Sequence, residues 1–189
     1  MFNPSFSKVI ESTWLFIKSS WQLWATILGI GLILVFFEKF FDWLGKWLDE
    51  RRIKKWLEEH KTLEEWKKVD DKEFERITAA IFEKLGYKTK VVGGPGDRGV
   101  DVIAEKEGKI NYIQCKKMEK VSPHAIRDFY GAIVDKLKEG EKGFFVTIGG
   151  FTEEGKNFAE GKPIELIDGL KLEKLFKEGT IKNLNLIEK

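Results

Sequence analysis

Asp101, Gln114 and Lys116 are the residues of this chain whose types and spacing most directly suggest chemistry. Asp101 opens a short apolar run, Val100 to Glu105, and Gln114 and Lys116 close a second run, Ile110 to Lys116. Strand side chains alternate between faces, so Gln114 and Lys116 point the same way and Cys115 points the other. Taken singly, each residue is ordinary: a strand-end carboxylate, a solvated amide, a solvated lysine. Together they suit phosphodiester cleavage. A carboxylate and a second oxygen can hold a divalent ion beside the scissile phosphate. A lysine can orient or deprotonate the attacking water and offset the charge that develops.

The elements that must position these residues can be read from the pattern. Asp70 to Leu85 is a predicted helix. Asp70 and Glu73 form a capping box, Phe74, Ile77, Ile81 and Leu85 form one apolar stripe, and Gly86 ends it. Tyr87 to Val92 is a predicted strand and Gly93 to Asp97 a turn. The two runs around Asp101 and Gln114 form a hairpin about Glu107-Gly108-Lys109. Ser122 and Pro123 start a helix whose buried face is Ile126, Phe129, Tyr130, Ile133, Val134 and Leu137. A strand at Gly143 to Thr147, a helix at 152–159, a strand at Ile164 to Ile167 and a helix at 170–176 complete the order. The expected fold is an α/β domain at 70–189 with an αβββαβ core and a mixed central sheet.

Within this domain Gly94-Pro95-Gly96-Asp97-Arg98-Gly99 matches the dinucleotide fingerprint in form only. That fingerprint needs a helix directly after it, and Val100-Asp101-Val102-Ile103 is a strand. The glycines read instead as a tight turn. Asp97 either starts that turn or adds a second acid to the site. Lys117, Lys120 and Arg127 follow the active strand, as phosphate contacts or as solvated charges. Cys115 should pack in the core and not act as a nucleophile.

At this point the domain resembles an Mrr-type restriction endonuclease domain of the PD-(D/E)XK nuclease superfamily, over most of Asp70 to Leu175. The resemblance rests on Phe74-Glu75, Leu85-Gly86-Tyr87, Asp97-Arg98-Gly99-Val100-Asp101, Ile113-Gln114-Cys115-Lys116-Lys117, Gly143-Phe144-Phe145-Val146-Thr147 and Leu166-Ile167-Asp168-Gly169. It implies a restriction-endonuclease-like fold and a DNA endonuclease dependent on Mg2+ (or Mn2+). Asp101, Gln114 and Glu75 would be at the metal, and Lys116 would be the catalytic lysine. Position 114 departs from the superfamily pattern, since most members carry an acid there. An amide binds Mg2+ more weakly than a carboxylate, which leaves room for a weakly active or inactive tethered nucleic-acid sensor.

The first third of the chain is of a different kind. All 7 tryptophans lie between Trp14 and Trp66. Residues 1–69 hold 11 basic and 9 acidic side chains, and 70–189 hold 22 of each, so the net charge of +2 belongs to the amino-terminal part. Net charge therefore gives the second part no independent argument for DNA. Ser19 to Phe37 contains no charged residue. As a helix it would extend roughly 28 Å, about the hydrocarbon thickness of a bilayer. Trp21 and Trp24 lie at one end, and Trp43 and Trp47 just beyond the other, as in an aromatic belt. No small-x-small cleavage site follows it. The expected organisation is a segment at 1–18, a transmembrane helix at 19–37, an amphipathic juxtamembrane helix at 38–69 and the endonuclease-like domain. The 38–69 helix is either a stalk or dimerisation surface, or a helix packed on its own domain. Lys8 and Lys18 precede the span, whereas Lys39, Lys46, Arg51, Arg52, Lys54 and Lys55 follow it. That bias puts the second domain in the cytoplasm. The single cysteine suits a reducing milieu and rules out an intramolecular disulfide. Cutting both strands of a duplex needs two sites, which a homodimer would provide.

Overall fold

A computed structural model describes residues 4–94 and 99–187. The chain divides into two compact units, 1–49 and 50–189. Helix α1 runs without a break over Pro4–Glu59. In the first unit most of its described large apolar side chains are exposed: Leu28 is 67% accessible, Leu32 71% and Phe36 65%. Among the described residues one helix is long and apolar enough, by length and composition, to cross a membrane.

The second unit begins on the last turns of α1. Ile53 and Leu57 are buried there, in one cluster with Trp66, Val69, Phe74, Ile77 and Ile81. Of the two readings of 38–69, packing on its own domain is what Ile53 and Leu57 do. The segment does not stay one helix to residue 69. α1 ends at Glu59, a short α2 covers Leu63–Trp66, and α3 covers Asp71–Lys84. Thr62 and Glu65 make a reciprocal capping box that starts α2. Trp66 is fully buried, donates from its indole Nε1 to the carbonyl of His60 at 2.9 Å and meets the Phe176 ring edge-on. Asp70 caps α3 by accepting from the Glu73 N–H at 2.7 Å, and Gly86, with φ 88°, ends it.

The central sheet has five strands: β1 (Lys88–Val91), β2 (Val102–Lys106), β3 (Lys109–Lys116), β5 (Gly143–Thr147) and β7 (Ile164–Ile167), in the order β1-β2-β3-β5-β7. The first three are antiparallel neighbours, and β3, β5 and β7 run parallel. The sheet is therefore mixed, as the pattern indicates. Lys106 pairs with Lys109, so only Glu107 and Gly108 turn the β2–β3 hairpin, at φ 53° and 75°. Positive φ at both positions marks a type I′ turn, which suits the twist of the strands. α3 and α6 (Gly169–Ile187) cover one face of the sheet, with Val102, Ala104, Ile113, Phe144 and Val146 inside. α4 (Pro123–Ile133) and α5 (Glu153–Ala159) cover the other, with Phe129 of α4 against Phe145 of the sheet.

Several features differ from the pattern-based reading, and the last helix, expected at 170–176, runs over Gly169–Ile187. The helix expected to reach Leu137 ends at Ile133, tightens into a 3-10 turn at Val134–Lys136, and leaves Val134 37% exposed. Leu137 is extended but still half-buried, so the apolar stripe outlives the helix. A second, two-stranded parallel sheet pairs β4 (Lys120–Val121) with β6 (Gly150–Phe151). Two residues per strand are too few to carry a period.

Candidate active site

The candidate residues come from three elements: α3, the loop entering β2, and the end of β3. Asp101 immediately precedes β2 and continues its ladder, its N–H donating to the Ile113 carbonyl at 2.9 Å. Its own carbonyl accepts from Val92 at 2.8 Å and from Gly93 at 3.1 Å. The chain after β1 is therefore held against Asp101. The carboxylate is oriented as well. Oδ2 accepts from the backbone N–H of Cys115 at 2.7 Å, so it sits on the β3 backbone between Gln114 and Lys116. Charge-assisted bonds of this length hold a carboxylate more firmly than neutral ones.

Glu75 reaches this place from the first turns of α3. A Cβ on Gly93 would lie 2.7 Å from Glu75 Oε2 and 3.5 Å from Asp101 Oδ1. Both carboxylates thus converge on one point over Gly93.

Gln114 is 8% exposed and pairs in register with Phe145 on β5. Its Oε1 is fully buried and has no hydrogen-bond partner among the described residues. A carbonyl oxygen taken from water without a partner costs free energy, and such atoms are rare. The amide packs under Gly99, where a Cβ would meet Gln114 Nε2 at 2.8 Å. Gly99 also has φ 81°, a conformation that disfavours any side chain. Lys116 closes β3 with an exposed side chain, and its carbonyl accepts from the Thr147 hydroxyl at 2.8 Å.

Cys115 alternates away from Gln114 and Lys116 and packs against the α3 side of the core. Burial pushes its thiol well above the usual range, and the negative charges of Asp101 and then Glu75 push the same way. The Thr78 hydroxyl, one turn along α3 from Glu75, works against them. A thiol held protonated is a poor nucleophile, which agrees with a packing role.

The remaining candidates are not gathered here. The Lys117 ammonium donates to the Val69 carbonyl. Lys120 lies exposed on β4, and the exposed Arg127 stacks over Phe158 on α5, 5.3 Å from the ring centroid. Asp97 and Arg98 lie outside the described residues. Sequence reasoning missed the part played by Gly93 and Gly99. The glycine-rich segment was visible, but its glycines read as a turn, and a turn gives no hint that two of them border acid and amide side chains.

Among the described residues no three His, Cys, Asp or Glu side chains come together as a metal site. The oxygens on hand are two carboxylates and one unpartnered amide carbonyl. All are hard donors of the kind that Mg2+ and Mn2+ take with water completing the shell. Asp101, Glu75 and Gln114 are the residues that could hold such an ion.

A model of the Mrr_cat family, described as restriction endonuclease, matches residues 66–176, well over half of the chain. The chain belongs to this family. The match begins at Trp66, so it takes in the anchor of α2 as well as the sheet. Among solved structures, a protein of unknown function, AF1548, aligns over 54% of this chain and 64% of its own, at 25% identity and a TM-score of 0.46. The MspJI restriction endonuclease in complex with a 27-mer oligonucleotide aligns over 68% of this chain and 30% of its own, at 22% identity and a TM-score of 0.40. The chain spans less than two thirds of the length of each. No curated protein matches the chain.

Proposed function

We propose that this protein is a membrane-anchored endonuclease that hydrolyses DNA phosphodiester bonds with a divalent metal ion, Mg2+ or Mn2+. The observation that carries the reading is the convergence of Asp101 and Glu75 over Gly93, with the Asp101 carboxylate bonded to the backbone between Gln114 and Lys116. Membership of a restriction endonuclease family supports the reaction class.

Asp101, Glu75 and Gln114 would hold the ion, which when bound supplies Lewis-acid stabilisation of phosphate charge and a more acidic water. The chain's own groups do the rest. The Cys115 N–H keeps one Asp101 oxygen pointed at β3 and so fixes how the carboxylate presents the other. Lys116 orients or deprotonates the attacking water and offsets the growing charge on the phosphate. The buried Gln114 contributes an oxygen that water does not reach. Lys120 and Arg127 are exposed cations that would meet the DNA backbone. Lys117 would add its charge only by leaving the Val69 carbonyl.

The exposed apolar side chains of α1 support the anchor at Ser19–Phe37, with the basic flank after it and the nuclease domain in the cytoplasm. Two copies of the chain would bring the second site that double-strand cutting needs. One feature favours a different reading. The amide at 114 gives the site two carboxylates where three would bind Mg2+ more tightly, so the domain would then be a tethered nucleic-acid sensor of low activity.

The test is cleavage of plasmid DNA by the full chain in detergent, with Mg2+ or Mn2+, against Lys116→Ala. Nicking that disappears in the variant supports the hydrolase. Equal cutting by both proteins overturns it. Salt-dependent DNA binding with no cleavage by the unaltered protein favours the sensor.

A further inference from the structure

We propose that Gly93 is a positioning residue of the site: its missing side chain leaves the volume in which the Glu75 carboxylate lies beside Asp101. The inference rests on the reading of Asp101 and Glu75 as cation-holding acids and adds the residue that sets their distance.

The geometry is specific to this glycine. A Cβ at position 93 would fall 2.7 Å from Glu75 Oε2, 3.3 Å from its Cδ and 3.5 Å from Asp101 Oδ1. Real Cβ atoms do not approach an oxygen to 2.7 Å, so the Glu75 head group would have to shift from its place beside Asp101. Nothing else about the position demands glycine. Gly93 is absent from the residues with positive φ, so an alanine meets no backbone strain there. Its N–H donates to the Asp101 carbonyl at 3.1 Å, a bond that alanine keeps. The next residue makes the contrast. Around Gly94 no described atom lies within 4 Å of a Cβ position. Gly99 differs again, because its φ of 81° would make any substitution there a test of backbone strain.

The obstructing atoms are the far end of a flexible side chain. Gly93→Ala should therefore fold, with Glu75 swung away from Asp101. The consequence is local: one carboxylate leaves the cation site while Asp101, pinned by the Cys115 N–H, stays.

Two measurements on the full chain in detergent test this. The first is the thermal midpoint of the metal-free protein for Gly93→Ala, Glu75→Ala and the double variant. Gly93→Ala is expected to shift the midpoint less favourably in the unaltered background than in the Glu75→Ala background. It should raise it once Glu75 is truncated, because glycine-to-alanine stabilises where space and φ allow. The same shift in both backgrounds overturns the proposal. The second is Mn2+ titration by calorimetry. Gly93→Ala is expected to weaken binding about tenfold, in the range of substitutions that disorient a ligand. It should cause no further loss in the Glu75→Ala background, and Gly94→Ala should bind as the unaltered protein does. Undiminished Mn2+ binding by Gly93→Ala overturns the proposal. Coupled midpoints without Mn2+ binding by the unaltered protein would keep Gly93 as the positioning residue and remove the metal-dependent reading. Mn2+ binding with uncoupled midpoints would do the reverse.

Discussion

Replacing Gln114 by methionine should make the metal-free protein more stable and its site worse. The side chain is 8% exposed, and its buried Oε1 has no hydrogen-bond partner among the described residues. Leaving a buried acceptor unsatisfied costs about 1–3 kcal/mol. Methionine is unbranched and of similar length, and it fills irregular space without a polar atom. The repacking cost beside Gly99 and Phe145 should be a fraction of the gain. For a folded unit of this size, 1 kcal/mol moves the midpoint by about 2–4 °C. Gln114→Met should thus raise the metal-free midpoint by up to about 12 °C, less the repacking cost. In the unaltered protein, saturating Mn2+ should raise the midpoint through binding to the folded state. In Gln114→Met most of that increment should vanish. Differential scanning fluorimetry with and without Mn2+ gives both numbers. A lower metal-free midpoint, or a full Mn2+ increment in the variant, would refute the idea that this oxygen is kept unsatisfied for a cation.

Other outcomes follow from the same structure. Leu57→Ala should destabilise the second unit by about 3–5 kcal/mol in urea unfolding, because Leu57 is fully buried in its core. Leu28→Ala, at a side chain 67% exposed, should leave that midpoint unchanged. Cys115 should resist iodoacetamide at neutral pH in the folded protein and react readily in urea, since its raised pKa keeps the thiol protonated. The sign for stability follows: the unfolded thiol ionises near its ordinary 9.0 while the folded one does not. Stability should therefore fall as pH rises above that value, and Cys115→Ala should flatten the fall. Rapid labelling of the folded protein at neutral pH would contradict a thiol held protonated.

Much of the fold was legible because it is written in periods and punctuation. The stripe Phe74, Ile77, Ile81 marked α3, Glu107-Gly108 marked the hairpin, and the apolar run before Glu38 marked a helix. What escaped lacked a period. β4 and β6 are two residues each, and α4 stops at Ile133 although apolar residues continue at helical spacing. The amphipathic stretch after Glu38 was ambiguous for a related reason. Spacing says that Ile53 and Leu57 share a face, but it does not say what covers that face.

The candidate site divides along the same line. Local order alone determined that Gln114 and Lys116 share one face of a strand and that Cys115 takes the other, because the alternation of a strand belongs to its backbone. It also determined that a carboxylate stands at the mouth of the neighbouring strand. Only the tertiary structure decided which groups meet. Glu75 is 26 positions from Asp101 in the chain, and no spacing rule links a residue on a helix to one at a strand end. Their convergence depends on α3 packing over β2 and β3, and on a loop backbone bare enough at Gly93 to let two carboxylates stand together. The unpartnered oxygen of Gln114 is decided in the same way, since whether a polar atom finds a partner depends on everything folded around it.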